Sequence, residues 1–289
     1  MHNIGTKKQS NFGILYVVAT PIGNINDITY RAVEVLSNVY IIATEDTRHS
    51  KKILNYYGIK TKKISYHKHN EAGRCDYLIK LLMEGKDVAI ISDAGTPTIS
   101  DPGDVLILKA HENNISVSPV PGPCSIISAI SVSGFASEDF KFIGFLPKKL
   151  SQKLSIFSNN NDHSLIFFES PNRVLDTLEE LKKIYSGNKT IFIAKEITKI
   201  YEDIGNDSID NWIDYLKKNN NEKLKGEFII VVPKKLLKEN NIPDYEIERL
   251  LRLLLDNNVS YNSAIKITSS NFKINKNSIY KKYINLAKK

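Results

Sequence analysis

Cysteine is scarce: Cys75 and Cys124 are the only two in 289 residues, too few and too far apart for a disulfide framework or a zinc cluster. No run of about 18 uninterrupted apolar residues occurs, so no membrane-spanning helix is expected. The start, Met1 to Lys8, lacks an apolar core followed by a small-residue cleavage site, and the expected location is the cytoplasm. Neither the Gly-x-Gly-x-x-Gly fingerprint nor the P-loop pattern is present, which withdraws support from dinucleotide and nucleoside-triphosphate chemistry. There is no internal repeat and no long low-complexity tract.

What is present is an ordinary globular composition, 42% hydrophobic and 25% charged, with length enough for two compact units and a small appendage. The net charge of +8 is unevenly spread. From Asn257 to Lys289 there are seven lysines and no Asp or Glu, leaving +1 for the other 256 residues. Lysine outnumbers arginine 34 to 6, so each arginine is more informative than the lysine total.

The first half alternates strand-like and helical segments. Strands are expected at Ile14 to Ala19, Val39 to Ala43, Lys62 to Tyr66, Val88 to Ile91 and Ser116 to Val120. Helices are expected at Asp27 to Leu36 (Asp27 as N-cap), Lys51 to Tyr57, Arg74 to Met83, Asp104 to His111 and Ile126 to Val132. This rhythm predicts a parallel α/β sheet, with ligands gathering at its carboxyl edge. A second α+β domain is expected on strands Phe142 to Phe145, Ser164 to Phe168, Thr190 to Ala194 and Glu227 to Val232. Its helices are Pro171 to Ile184 and Ser208 to Lys218, with Asn219 to Glu222 as an exposed connection. Three short amphipathic segments follow, Tyr245 to Leu255, Tyr261 to Thr268 and Ile279 to Leu286, forming a helix-turn-helix-like appendage suited to a phosphate backbone. The resulting division is an extension (1–13), an N-terminal α/β domain (14–135), a second α/β domain (136–235) and a basic helical domain (236–289).

Four loops follow strands of the first sheet and are expected to converge: Thr20 to Asn24, Thr44 to Arg48, Ser92 to Gly103 and Pro121 to Ser125. Ala94, Gly95, Thr96 and Gly122 permit close backbone approach to an adenosyl group, and prolines 97, 102, 121 and 123 reduce the cost of ordering the loops. In Glu45-Asp46-Thr47-Arg48, Asp46 or Thr47 reads either as a helix cap or, for Asp46 with Arg48, as facing substrate. Arginine's planar fork suits phosphate. His67 and His69 share one face of an extended segment, but no third ligand completes a metal site, so no metal is expected and the pair reads as a polar loop beside the substrate groove. Glu169 to Arg173, Ala194 to Lys199 and Lys225 to Glu227 bring carboxylates, lysines and an arginine toward the same cleft.

At these residues the chain resembles the ribosomal RNA small-subunit methyltransferase I family, within the tetrapyrrole-methylase superfamily. The matching blocks are Val18 to Asn24, Glu45 to Arg48, Ser92 to Pro97 with Asp101-Pro102-Gly103, Val120 to Pro123, Gly144 to Pro147, Phe168 to Pro171, Lys195-Glu196 and Lys225 to Glu227. They run in order from about residue 14 to 232, and the basic tail is similar to the family's C-terminal helical domain.

The resemblance implies a two-domain methylase fold with S-adenosyl-L-methionine between the domains, and a homodimer. It further implies methylation of a cytidine ribose 2′-oxygen in the decoding region of 16S ribosomal RNA. Carried onto this chain, the cofactor residues are Pro21, Gly23, Asp93, Ala94, Gly95, Thr96, Pro97, Pro121, Gly122, Cys124 and Ser125, with Glu169 and Ala194. Asp46, Asp93, Lys195, Glu196 and Glu227 are the candidates for a proton acceptor or a charge stabiliser. RNA contacts are expected from Arg48, His67, His69, Lys148, Lys149, Lys153, Arg173, Lys276, Lys281 and Lys282. The chain departs from the family where relatives often carry arginines after Leu146-Pro147, and at Asn172, where histidine is common. A small-molecule methyltransferase of the same fold and a non-catalytic ribosome-assembly factor are the competing readings.

Overall fold

The computed structural model of the protein describes residues 11–135, 139–158, 163–218, 224–234, 244–272 and 276–283. The expected connection at Asn219 to Glu222 and most of the N-terminal extension lie outside these residues.

The first sheet is built from β1 (Leu15–Val18), β2 (Ile41–Thr44), β3 (Lys63–Ser65), β4 (Val88–Ile91) and β5 (Val117–Val120), in the order β3-β2-β4-β1-β5. Every pairing is parallel, as the strand–helix alternation predicts. The strands are short apolar runs because both faces are covered. Leu15, Ile41, Ala43, Val88 and Ile90 pack with Leu78 and Leu82 of α3 (Glu71–Met83) and Leu106 of α4 (Asp104–Glu112). On the other face Val18, Ile42, Ala89 and Ile91 meet Leu36 of α1 (Tyr30–Asn38) and Leu54 of α2 (Thr47–Tyr56). Helix α1 begins later than expected. Asn24 instead caps a 3-10 turn over Ile25–Asp27, and Thr29, not Asp27, accepts from Ala32 N as the N-cap.

Helix α5 (Ser125–Ser133) leaves the first sheet and packs on the second. That sheet comprises β6 (Phe140–Phe145), β7 (Ser164–Glu169), β8 (Thr190–Lys195), β9 (Asp203–Ser208) and β10 (Phe228–Val232), in the order β6-β7-β10-β8-β9. It is mixed: β6 and β7 are parallel, and the other neighbours antiparallel. Alternate residues divide its faces. Ile166, Phe192, Ala194, Ile229 and Val231 meet Ile126, Ala129 and Ile130 of α5. Leu165, Phe167, Ile193, Phe228 and Ile230 meet α6 (Leu150–Ser158), α7 (Val174–Tyr185) and α8 (Ile209–Lys218).

Two elements are additions to the expected set. Strand β9, Asp-Ile-Gly-Asn-Asp-Ser, is a polar edge strand with no apolar run to announce it. Helix α6 occupies the stretch expected to be a basic RNA-facing run, and it turns Lys153 inward with Phe157 one turn later.

The chain divides into two compact units. Both sheets belong to one, within Met1–Phe157 and Ser164–Val232, and the other takes Pro233–Lys289 with Ser158–His163. The latter holds α9 (Asp244–Asp256), α10 (Tyr261–Phe272) and α11 (Lys276–Tyr283), packed through Ile247, Leu251, Ala264, Ile265 and Ile279. Among the described residues no helix is long and apolar enough to cross a membrane, and no group of three or more His, Cys, Asp or Glu could hold a metal ion.

Candidate functional site

The loops after β1, β4 and β5 are bonded to one another. Thr20 N donates to Gly95 O at 2.9 Å and Gly95 N to Thr20 O at 3.0 Å, a two-residue bridge between the first and second loops. Thr96 Oγ1 donates to Pro123 O at 3.1 Å, joining the second to the third. Gly95 has φ +79°, and a Cβ there would lie 3.2 Å from Ile22 Cγ2. Glycine is the residue that meets both conditions without strain.

Where these loops face the second sheet there is a cavity of about 350 Å³, within the size range of small-molecule sites. Ile22, Ala94, Gly95, Thr96, Ile99, Ser100, Asp101, Cys124, Ser125 and Ile126 form one wall. The other is Phe145, Phe168, Glu169, Ser170, Pro171, Ile197 and Gly226 to Ile229. The charged residues among these are Asp101, Glu169 and Glu227; no described lysine, arginine or histidine lines the cavity. Glu169 and Glu227 are paired with Arg173 and Lys199, which do not themselves line the cavity, so it presents apolar walls and carboxylate oxygens and no described cation for a phosphate. The apolar walls suit a flat heterocycle, and the start of α5 at Ser125 offers unpaired N–H groups to a ligand carboxylate.

Of the residues expected to hold cofactor, Ala94, Gly95, Thr96, Cys124, Ser125 and Glu169 line this cavity. Pro21, Asp93, Pro97, Pro121 and Gly122 lie in the same loops but do not line it, and Gly23 abuts Thr198 and Lys199. Ala194 is buried in the interface between α5 and the sheet. Phe145, Phe168, Ile197, Ile229 and Asp101 also line the cavity and were not among the residues expected to hold cofactor, although Phe145, Phe168 and Asp101 fall in the matching blocks. The signal for Phe145, Phe168, Ile197 and Ile229 was position near strand ends, and for Asp101 its place in the loop after β4.

The acidic candidates differ in how fully they are occupied. Asp46 caps α2, accepting from Arg48 N at 2.7 Å, and its other oxygen takes Arg48 Nη2 at 2.9 Å. Hydrogen bonds from Arg48 hold its carboxyl down to about 2, so it is a poor proton acceptor at neutral pH. Lys199 Nζ bridges Glu196 Oε1 at 2.9 Å and Glu227 Oε2 at 3.1 Å. Burial alone would raise Glu196, yet Lys199 and the Glu227 N–H hold it below its ordinary value. Gly226, at φ +94°, makes room for this pair, since a Cβ would sit 2.5 Å from the Glu196 side chain.

Lys195 follows Ile191 and Ile193 on the strand, so alternation directs it to the α7 and α8 face, and it does not line the cavity. Asp93 Oδ1 accepts from Asp46 N at 3.1 Å and lies 3.8 Å from His49 Nδ1. Next to it, burial together with Asp101 and Asp93 raises Glu45, and burial together with Asp93 raises Asp101, partly offset by the Ser92 hydroxyl and Lys68.

The expected RNA contacts also separate. Arg48, His69, Lys148 and Lys149 are exposed, and His67 is half-buried with its ring against His69 at 5.9 Å. Lys276 and Lys282 are exposed on α11, and the Lys281 side chain lies outside the described residues. Lys153 is a correction. It is 4% exposed, with Nζ on Glu180 Oε2 at 2.6 Å and Thr177 Oγ1 at 3.3 Å, because α6 points it into the core. Arg173 is likewise committed, to Glu169 and the Leu146 carbonyl.

The chain matches the family model "Tetrapyrrole (Corrin/Porphyrin) Methylases" over residues 14–211. It is 45% identical to Ribosomal RNA small subunit methyltransferase I of Haemophilus influenzae, covering 79% of this chain and 81% of the relative. It is 38% identical to the Pasteurella multocida protein of the same name, covering 93% and 95%. Among solved structures, uroporphyrin-III-C-methyltransferase from Thermus thermophilus has TM-score 0.53 at 19% identity, covering 77% of this chain and 94% of that one. A cobalt precorrin-4 methyltransferase has TM-score 0.54 at 15% identity, covering 78% and 97%. By the extent of these matches, the chain belongs to the tetrapyrrole methylase family and, within it, to the ribosomal RNA small subunit methyltransferase I group.

Proposed function

We propose that this protein transfers a methyl group from S-adenosyl-L-methionine to the ribose 2′-oxygen of a cytidine in the decoding region of 16S ribosomal RNA. The observation that carries the cofactor is the cavity lined by carboxylates and apolar side chains, with no described basic residue. Bound there, the cofactor supplies an electrophilic methyl on a cationic sulfur. Ala94, Gly95 and Thr96 offer close backbone approach, Phe168 and Ile229 an apolar wall, and Ser125 its helix-terminal N–H. Holding a hydroxyl in line with the methyl accounts for several kcal/mol of barrier reduction.

The RNA substrate is supported by the names of the relatives and by basic side chains outside the cavity. Arg48 is exposed at the carboxyl edge, Lys148 and Lys149 follow β6, and Lys276 and Lys282 lie on α11. These suit a phosphate backbone read by charge. The reading includes a homodimer in the cytoplasm acting on 16S RNA or the small subunit.

Incubating the protein with labelled cofactor and either small ribosomal subunits or a porphyrinoid tests the substrate class; label on the porphyrinoid alone would overturn the reading. Ribose methylation mapped in ribosomes from cells with and without the gene then locates the nucleotide. Absence of cofactor binding at millimolar concentration in calorimetry would instead favour a non-catalytic RNA-binding factor.

A further inference from the structure

The ribose-methylation reading leaves a proton to be accounted for. A hydroxyl is a weak nucleophile, and a carboxylate with an unoccupied oxygen beside the cavity would serve it. Glu169 is taken by Ser170 N, Thr177 Oγ1 and Arg173. Glu227 has Lys199 on Oε2 and is 79% exposed, so water rather than the cavity surrounds it, and Glu196 has the same lysine on Oε1. Asp46 is taken by its cap and Arg48. Asp101 lines the cavity itself, is hydrogen-bonded to the Ser92 hydroxyl and forms no ion pair among the described residues.

The loop that carries it is held in an unusual conformation. Thr98 and Ser100, neither of them glycine, have φ of 72° and 74°, and Pro97 and Pro102 are buried on either side. Residues held in this region cost roughly 1–3 kcal/mol each and concentrate at functional sites. Here the strain presents Ser100 and Asp101 to the cavity. The charged groups facing Asp101 are Asp93 from its own loop and Glu45 from the loop after β2, opposed by Lys68 from the loop after β3. Two negative neighbours, one positive neighbour and burial together favour the protonated carboxyl more than in water.

We propose that Asp101 is a catalytic residue, one of its carboxylate oxygens taking the proton of the ribose 2′-hydroxyl. This rests on the ribose-methylation reading above. As the bond from oxygen to the methyl carbon forms, the sulfur–methyl bond breaks with its electron pair left on sulfur, and the hydroxyl proton passes to Asp101; no further reactant is needed.

The test compares full-length wild type, Asp101→Asn and Asp101→Glu. Asp101→Asn is expected to melt like wild type, to weaken cofactor binding by no more than about tenfold, and to lose about 100- to 10,000-fold in transfer to small subunits at saturating cofactor. The acid limb of its rate–pH profile should disappear, and Asp101→Glu should restore part of the rate. Independently of activity, ¹³C NMR of the aspartate carboxyls should find one resonance titrating above the ordinary range, absent in Asp101→Asn. A folded Asp101→Asn protein within threefold of wild type in rate, one that retains the acid limb, or one that no longer binds cofactor would overturn the assignment. So would a normal Asp101 titration, which can be read from wild type and Asp101→Glu if Asp101→Asn does not fold. Failure of wild type to methylate RNA would sink the substrate reading instead, and the carboxyl titration distinguishes the two.

Discussion

Thr20 and Gly95 exchange two backbone hydrogen bonds, 2.9 and 3.0 Å, across two loops separated by 75 residues of chain. This bridge fixes the floor of the cavity. Gly95→Ala puts a Cβ on a left-handed residue and against Ile22, at a cost of about 1–2 kcal/mol. The expected result is a melting temperature lower by a few degrees together with weaker cofactor binding, measured by thermal denaturation and calorimetry.

The Lys153 ammonium is buried on Glu180, so Lys153→Met should act through stability. Removing one partner strands the other. A loss of about 2–3 kcal/mol is expected, below the value for a fully buried pair because Glu180 keeps some solvent. RNA affinity per folded molecule should be unchanged in filter binding.

Exposed lysines should behave in the opposite way. Lys148→Ala with Lys149→Ala should leave the unfolding free energy within about 0.5 kcal/mol of wild type. It should lower RNA affinity and reduce the slope of log affinity against log salt by about 1–2. Lys276→Glu with Lys282→Glu should flatten the same slope while sparing cofactor affinity. An unchanged salt slope would show that α11 is not a phosphate contact.

Glu45 provides a pH test. Burial and the charges of Asp101 and Asp93 raise its folded pKa above the unfolded value. Its favourable contribution is therefore complete below the unfolded pKa and is lost as pH rises through the folded one. Glu45→Gln should raise the melting temperature at about pH 8 and leave it unchanged near pH 3, where both side chains are neutral. Asp46 has the opposite sign: its pKa is lowered to about 2, so its contribution is present above the unfolded pKa and fades as pH falls toward that value.

Much of this was legible in the order of residues. The apolar runs Val88 to Ile91 and Ile41 to Thr44 are strands because β-branched residues buried on both faces leave few other solutions. The loops after them sit at one edge because parallel strands all end there. Helix α6 was read as a basic run, because a lysine that enters the core looks the same in sequence as one that faces solvent. The polar strand β9 was invisible because its partner β8 supplies the order through backbone bonds, which have no side-chain signature.

The sequence by itself determined the parallel sheet, the small-residue loops and the family, because strand periodicity and close backbone approach are local demands on residue type. Only the tertiary structure decided which acids are free. Arg48 occupies Asp46, Lys199 occupies Glu196 and Glu227, and Arg173 with Thr177 occupies Glu169, while Asp101 stays open to the cavity. A carboxylate's availability depends on which cation the fold brings beside it, and Glu227 and Lys199, 28 residues apart, meet only when the second sheet has formed.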